Sequence, residues 1–206
     1  MTGPEIQELK HQPIVQIAHH EHLASEAYGF NSAAGSKSSM SIKIGRIAKM
    51  DEPAGWAAGK EVARLGYIEY HPSSDPLTKL YTFDRGARLG NEDAKAFADV
   101  LYKYGPHTLK ADELASLQQH GIFRDKGPDS DFMPLMAKTE DINGRRVLVL
   151  EGTFKDDNLH VRTAYIDADS KKDGSVIQEL TYQAPAPVYL KNLPAARKAV
   201  QSILWK

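Results

Sequence analysis

The sequence VLVLEGTF occupies residues 147–154, and LHVRTAYI follows it at residues 159–166. Both segments, and a third at residues 176–182, are rich in β-branched and aromatic residues, which favour strands. Polar connections separate them, and Asp173-Gly174 in the second connection is a pair typical of a tight hairpin turn. The last third of the chain therefore predicts three successive strands of an antiparallel meander.

A helix is predicted to cover this meander. Asn192 can cap it, and Leu193, Ala196, Val200 and Ile203 fall on one side, which is the spacing of an amphipathic helix. Because a helix and a sheet each bury an apolar face against another element, we expect this stripe to pack on the strands.

The middle of the chain carries the clearest helix signals. One helix is predicted from Asn91, with acidic residues in its first turn, to the Gly105-Pro106 pair. A second is predicted from about residue 108 to Gly121, where a left-handed glycine would end the helix and Ile122 would pack back on it. These signals predict a helix pair at about residues 91–121.

The segments before residue 91 give a mixed pattern. Residues 40–44 alternate apolar and polar side chains, as a half-buried strand does. Residues 51–64 begin with an aspartate that can cap a helix and a proline that fits the first turn, so a helix ending at Gly66 is predicted. Residues 67–70 and 80–83 predict two strands joined by a turn.

The order of these elements indicates the fold class. Strands and helices are mixed without the regular alternation of a doubly wound parallel sheet. The prediction is therefore α+β: an antiparallel sheet packed by helices. Residues 1–39 are predicted to be an irregular N-terminal segment, since they end in a small, polar, turn-rich run. Residues 40–206 are predicted to form a single α+β domain.

The C-terminal stretch VIQELTYQAPAPVYLKNLPAARKAVQSILWK, residues 176–206, resembles the end of a PsbP-like domain. Domains of that superfamily, found in photosystem accessory proteins and in bacterial envelope and secretion-associated proteins, close with a strand, an alanine-proline turn, an amphipathic helix and a short tail. The matching parts here are residues 176–182, Ala184-Pro185, the helix after Asn192 and Ser202-Ile203, and the likeness covers about the last sixty residues. The resemblance implies an antiparallel sheet sandwiched by helices, with an inserted helix pair at about residues 91–121. It also implies a binding or accessory role, usually without catalysis.

Composition excludes several classes of function. Lys and Arg total 26 against 27 Asp and Glu in 206 residues, so no excess charge attracts nucleic acid or an anionic bilayer. The absence of cysteine excludes disulfides and thiolate sites. Apolar runs are far shorter than the roughly 20 residues of a membrane-spanning helix, so no membrane insertion is expected. The first residues lack the pattern of a secretory signal. We therefore expect the protein in the periplasm or cell envelope if a leader was removed, and in the cytoplasm otherwise.

The histidine-rich stretch HHEHLASE, residues 19–26, raises the question of a metal site. If it is helical, His19, His22 and Glu26 share one face and could supply three zinc ligands. If it is extended, His20 and His22 share a face instead and that site does not form. The spacing does not match the metalloprotease motif, so we favour a solvated polar stretch and expect no metal or other cofactor.

Three further motifs are incomplete. Residues 55–61 resemble a phosphate-binding loop but have one residue too few between the glycines, and Glu61 stands in the place of the magnesium-binding hydroxyl. Small residues packing on a helix face are the favoured interpretation. Residues 167–174 hint at a calcium loop whose glycine comes two residues late, and a hairpin turn explains them better. Residues 129–131 are expected to form a polar loop rather than a catalytic acid pair.

The sequence therefore predicts a non-enzymatic accessory or interaction protein, associated with a bacterial envelope or secretion system. Its partner is expected to be another protein, and the helix pair or the loops are expected to carry the contact surface. Nucleic acid is not expected, because acidic residues begin the second helix where a DNA-reading helix would approach phosphates. One alternative is a metal-dependent hydrolase that uses the histidine-rich segment. Another is a small-molecule carrier with a pocket beside the sheet.

Overall fold

The computed structural model describes residues 39–41 and 45–206. Within this part the strands are β1 Ser39–Ser41, β2 Ile47–Asp51, β3 Trp56–Val62, β4 Tyr67–Pro72, β5 Lys79–Asp84, β6 Phe132–Ile142, β7 Arg145–Phe154, β8 Leu159–Asp167, β9 Ile177–Pro185 and β10 Leu204–Trp205. The helices are α1 Asn91–Tyr102, α2 Ala111–Gln119 and α3 Ala186–Gln201. The fold is mixed α+β and dominated by strands.

Seven strands form one antiparallel sheet in the order β3-β4-β5-β9-β8-β7-β6. The strands β6 to β9 are a meander of consecutive neighbours. β5 pairs with β9, and this pairing adds β3, β4 and β5 to that edge of the meander. Asn143 and Gly144 form the two-residue turn between β6 and β7 with φ of 48° and 79°, as that turn requires. A small separate sheet has the order β1-β2-β10.

The two faces of the large sheet carry separate cores. Alternation along β7 directs Val147 and Val149 to the face covered by α3, and Leu148 and Leu150 to the face covered by α1 and α2. The buried residues that α3 contributes are Tyr189, Leu193, Ala196 and Ala199. The two helices on the other face contribute Phe97, Val100, Leu101 and Leu117. The first face is called the α3 face below.

The helix pair begins and ends close to the predicted residues. Gly90, rather than Asn91, is the residue that precedes the first turn of α1. After α2, Gly121 has a φ of 63°, and the backbone N–H of Ile122 donates to the carbonyl of Leu117 at 3.1 Å. Ile122 is fully buried, so the predicted terminating arrangement is confirmed. That the pair is an insertion, like the boundary at residue 39, stays a prediction.

The helix predicted at residues 51–64 is wrong. Pro53, Ala54, Gly55 and Trp56 form a turn, in which the Trp56 N–H donates to the Pro53 carbonyl at 3.1 Å and Gly55 has a φ of 81°. The chain then forms β3, paired antiparallel with β4. The proline and glycine that indicated a helix start therefore belong to a chain reversal, and Gly66, at φ 55°, ends only a short 3-10 turn.

Three predictions about the C-terminal third also need correction. Asp173-Gly174 is not a tight hairpin turn, since β8 ends at Asp167 and β9 begins only at Ile177. The last helix begins at Ala186, directly after β9, so Asn192 lies inside it instead of capping it. The meander has a fourth strand, β6, which the sequence pattern does not predict because Pro134 and several charged residues interrupt the apolar alternation.

Candidate functional site

A cavity of about 660 Å³ lies on the α3 face, between α3 and the strands of the meander. Its lining residues are Leu80, Lys138, Glu140, Asp141, Ile142, Asn143, Val149, Arg162, Ala164, Leu180, Tyr182, Leu193, Ala196, Arg197, Val200 and Gln201. We call it the α3 cavity.

Small side chains leave this space between helix and sheet. Ala164 on β8 and Ala196 on α3 both line the cavity, and both are buried. Because neither side chain reaches far from its backbone, the two layers do not fill the gap at this point, although protein interiors are otherwise closely packed. Leu80, Val149 and Leu180 complete an apolar floor. The geometry suits the apolar body of a ligand.

The other end of the cavity is polar and tightly connected. Arg162 donates to Glu151 at 2.8 Å and to Glu140 at 2.9 Å, so a single guanidinium joins two carboxylates. Lys138 pairs with Glu140 at 2.6 Å. The Tyr189 hydroxyl donates to the second oxygen of Glu151 at 3.0 Å, which ties the network to α3. We call these five residues the Arg162 network.

The electrostatics of the network keep Glu140 charged. Burial opposes ionisation of Glu140, but the hydrogen bond from Lys138 and the charge of Arg162 outweigh it and hold the pKa of that carboxyl below its usual value. Burial, together with the neighbouring Glu151, raises the pKa of the Tyr189 hydroxyl, which therefore stays protonated and donates. Glu140 is ionised at neutral pH, so it is a poor general acid.

The mouth of the cavity carries a cation, Arg197, that has no acidic partner among the described residues. Asp141 is held by both nitrogens of the Arg146 fork, at 2.5 and 3.1 Å. Arg197, exposed on α3, makes no ion pair with any residue of the described part of the chain. Since the acids are compensated internally, the charge left at the mouth is positive.

The lining offers binding groups rather than reactive ones. Among the described residues that line the cavity there is no histidine, serine or threonine, and the hydroxyl of Tyr182 already donates to the Tyr189 carbonyl at 2.7 Å. Nucleophilic catalysis needs an activated hydroxyl, thiol or amine beside a base. Among the described residues that line the α3 cavity, the amine that lies beside a base is Lys138, and it is already in an ion pair with Glu140 at 2.6 Å. The geometry of the cavity supports recognition of a molecule with an apolar part and a charged part.

The candidate metal ligands His19, His22 and Glu26 lie outside the described residues, so their geometry stays a prediction. Across residues 45–206 no group of three or more histidine, aspartate or glutamate side chains is placed to hold a metal ion.

The other sequence motifs have structural roles. Residues 55–61 span a turn and β3, so the interpretation of small residues packed on a helix face is wrong. Gly59 instead permits close contact with β4, because a Cβ there would stand 2.9 Å from a carboxylate oxygen of Glu69. In the loop at residues 129–131, the Asp131 carboxylate accepts from the backbone N–H of Asp156 at 3.1 Å.

The calcium-like segment is a loop stabilised by its own acids. Asp167 is fully buried and accepts from the backbone N–H groups of Asp169 at 2.9 Å and Gly174 at 3.1 Å. Asp169 accepts from the N–H of Lys171 at 2.7 Å and pairs with Arg88 at 2.6 Å. The two carboxylates thus accept hydrogen bonds from backbone N–H groups of the same segment, and these bonds stabilise the loop.

The helix pair presents a second cavity of about 880 Å³, lined by charges of both signs. His120 contacts Asp93 at 2.8 Å, and His107 contacts Glu113 at 3.3 Å. Most of the charged side chains that line this cavity are exposed to solvent, so each ion pair contributes little to the stability of the fold. That this surface contacts a protein partner stays a prediction.

Sequence reasoning missed the residues of the α3 cavity. Glu151 and Arg162 lie inside two strands that are rich in apolar residues, and a charge inside such a strand is a signal that it has a partner or a function. Nothing in the sequence singled out Lys138 and Glu140, because β6, the strand that carries both residues, was not predicted.

Comparison with known proteins adds little to this geometry. No helix in the described residues is long and apolar enough to span a membrane. No protein-family model matches the chain, and no curated protein matches it. The structure is similar to the crystal structure of LpqN, which is described as involved in cell envelope biogenesis of Mycobacterium tuberculosis. The sequences are 15% identical, the match covers 76% of this chain and 82% of that chain, and the TM-score is 0.44.

Proposed function

We propose that this protein is a non-enzymatic accessory protein of a bacterial envelope or secretion system, and that it binds a small anionic amphiphile in the α3 cavity. The observation that carries the proposal is the cavity itself, with an apolar floor, a neutralised polar end and an uncompensated Arg197 at its mouth. The envelope or secretion setting depends on the resemblance of the C-terminal stretch to the PsbP-like superfamily. The partner that responds to the bound form is proposed to be another protein.

Size and surface chemistry favour a small molecule. Ligand cavities commonly measure about 300 to 1,000 Å³ and combine apolar walls with a few polar groups that orient the ligand. The α3 cavity, at about 660 Å³, lies within that range. An apolar chain or ring would displace water from Leu80, Val149 and Leu180, and this burial would supply most of the binding free energy.

Charge decides the type of head group. A cationic ligand would have to compete with Arg162 and Lys138 for Glu140, and both are already within 3 Å of it. An anionic head group meets Arg197, which has no acid to release first. An ion pair at an exposed site stabilises a complex by only about 0.2 to 1 kcal/mol. Arg197 therefore determines which head group is bound more than how tightly the whole ligand binds.

The test compares dodecanoate with dodecanol by calorimetric titration of the full chain, after a native mass spectrum for co-purified ligand. Arg197→Gln is expected to weaken dodecanoate binding about twofold to fivefold and to leave dodecanol binding unchanged. Lys191→Gln is the matched control, because Lys191 is exposed on the same helix and does not line the cavity. Ala196→Trp, which fills the cavity, is expected to abolish binding of both.

Three results would contradict the proposal. The wild type could bind neither probe, Lys191→Gln could weaken binding as much as Arg197→Gln, or a folded Ala196→Trp could bind as the wild type does. Circular dichroism shows whether Ala196→Trp is folded, and Arg197→Gln keeps the test valid if it is not. Elemental analysis of the same sample addresses the alternative, since stoichiometric zinc removed by chelator would support a metal-dependent hydrolase.

A further inference from the structure

A third cavity, of about 450 Å³, lies beside the β6–β7 turn, away from the floor of the α3 cavity. Its cations are Arg145, Arg146 and Lys172, and its aromatic walls are Tyr102, Tyr104 and Trp205. Among the described residues of its lining, Asp141 is the one acid, and it is also the one residue that lines the α3 cavity as well. We call this space the arginine cavity.

One of the three cations is already compensated. Arg146 holds Asp141 with two nitrogens and donates its third to the Tyr104 carbonyl at 2.9 Å, close after the end of α1. Lys172 is different, because its side chain is exposed and makes no ion pair within residues 45–206. The lining therefore has more positive charge than its own acid neutralises.

Arg145 is the centre of the arrangement. One of its terminal nitrogens donates to the Asp167 carbonyl at 2.5 Å, and its guanidinium lies 5.6 Å from the ring centre of Trp205. Its Nε is buried and has no acceptor in the described part of the protein, and the same is true of the Nε of Arg46. A buried donor without an acceptor is costly and uncommon in folded proteins.

The two arginines are close enough to repel each other. Burial lowers the pKa of Arg145, and the charge of Arg46 lowers it further, against the opposing influence of Tyr102 and Asp167. Asp167 offsets part of this charge, but its carboxylate already accepts from the Tyr102 hydroxyl at 3.0 Å and from two backbone N–H groups. Arg145 lines the arginine cavity and Arg46 does not, so an anion bound beside Arg145 would offset the repulsion between the two guanidinium groups from the cavity side.

We propose that the arginine cavity binds the phosphate group of a small phosphomonoester, with its organic part against Tyr102, Tyr104 and Trp205. A phosphate oxygen is a strong acceptor, and its geometry matches the planar donor fork of arginine. Lys172 adds an exposed positive charge to the lining. The site does not depend on the proposed amphiphile, since neither Arg145 nor Lys172 lines the α3 cavity.

Calorimetric titration of the full chain with inorganic phosphate, at constant ionic strength, tests the site. We expect one phosphate bound per chain, with affinity that falls as salt is added, and phenyl phosphate bound more tightly because of the aromatic walls. Lys172→Gln is expected to weaken binding at least about twofold. Lys171→Gln is the matched control, since Lys171 is the exposed neighbour that does not line the cavity.

A second variant tests the arginine itself. Arg145→Lys keeps the charge but removes the planar fork, and we expect about a tenfold loss of phosphate affinity, with circular dichroism to confirm the fold. The absence of phosphate binding by the wild type, or equal losses in Lys171→Gln and Lys172→Gln, would overturn the proposal. Binding to phosphatidylglycerol vesicles, without binding of phosphate or phenyl phosphate, would also overturn it and would assign the cavity to a membrane surface.

Discussion

Replacing Arg162 with methionine tests whether the Arg162 network stabilises the fold that shapes the α3 cavity. Methionine keeps much of the length and apolar surface of the side chain but removes the charge that joins Glu140 to Glu151. The side chains of Arg162, Glu151 and Glu140 are 16, 20 and 27% exposed, so water screens the remaining carboxylates only in part. Breaking a buried ion pair from one side commonly costs about 3 to 5 kcal/mol.

The structure favours the low end of that range. After the change Glu140 still has Lys138 at 2.6 Å, and Glu151 still accepts from Tyr189 at 3.0 Å. We therefore expect Arg162→Met to lower the free energy of unfolding by about 3 kcal/mol, which corresponds to a fall in Tm of about 6 to 12 °C for a domain of this size. Urea denaturation followed by circular dichroism at pH 7 measures the loss.

The pH dependence separates a charge effect from lost packing. The pKa of Glu140 is lowered in the folded protein, so its contribution is fully present above the unfolded value of about 4.3 and is lost as pH falls through the lower folded value. The difference between wild type and Arg162→Met should therefore shrink when urea denaturation is repeated near pH 3. A loss below about 0.5 kcal/mol at pH 7, or a loss that is equally large in acid, would show that the charge of Arg162 does not stabilise the fold.

Two further predictions use matched pairs of variants, each compared by urea denaturation. Gly152→Ala should cost about 2 to 3 kcal/mol, because a Cβ there would stand 2.3 Å from the Met133 carbonyl oxygen, whereas Gly105→Ala, with nothing within 4 Å of the added carbon, should be nearly neutral. Equal effects would show that the close approach of β6 to β7 is wrong. Tyr182→Phe should cost about 1 kcal/mol, since its hydroxyl donates at 2.7 Å, whereas Tyr70→Phe should cost nothing, since that buried hydroxyl has no acceptor among the described residues. A comparable loss in Tyr70→Phe would mean that an acceptor exists elsewhere.

Local chemistry explains which elements the sequence could predict. The strands β7 and β8 are dense in β-branched residues and are separated by four polar ones, so neighbouring strands are the simplest outcome. The end of α2 was predictable because only a glycine adopts the left-handed φ of Gly121 at no cost. In both cases the local preference and the tertiary structure agree.

Residues 51–64 show the opposite case. An aspartate, a proline and small residues make a helix start attractive over a few residues, but propensity is worth only a fraction of a kcal/mol at each position. Pairing of β3 with β4 packs the partly buried Trp56 against the α3 face. It also supplies hydrogen-bond partners for the backbone of β3. Because that partner strand lies beyond the window in which a helix signal is detected, the local pattern predicted the wrong element.

One part of the site could be predicted from the sequence, and another part could not. Glu151 and Arg162 lie directly opposite each other in the β7–β8 register, which the short connection between the two strands fixes, so this pair was within reach of sequence reasoning. Glu140 joins it only because β6 adds a further strand in the register that pairs Glu140 with Val147. Arg197 reaches the same cavity only because α3 crosses the sheet at Ala196. The compensated charges of the polar end thus follow from strand register, whereas the uncompensated cation follows from helix docking, and a change that shifts α3 should alter ligand selectivity without disturbing the Glu151–Arg162 pair.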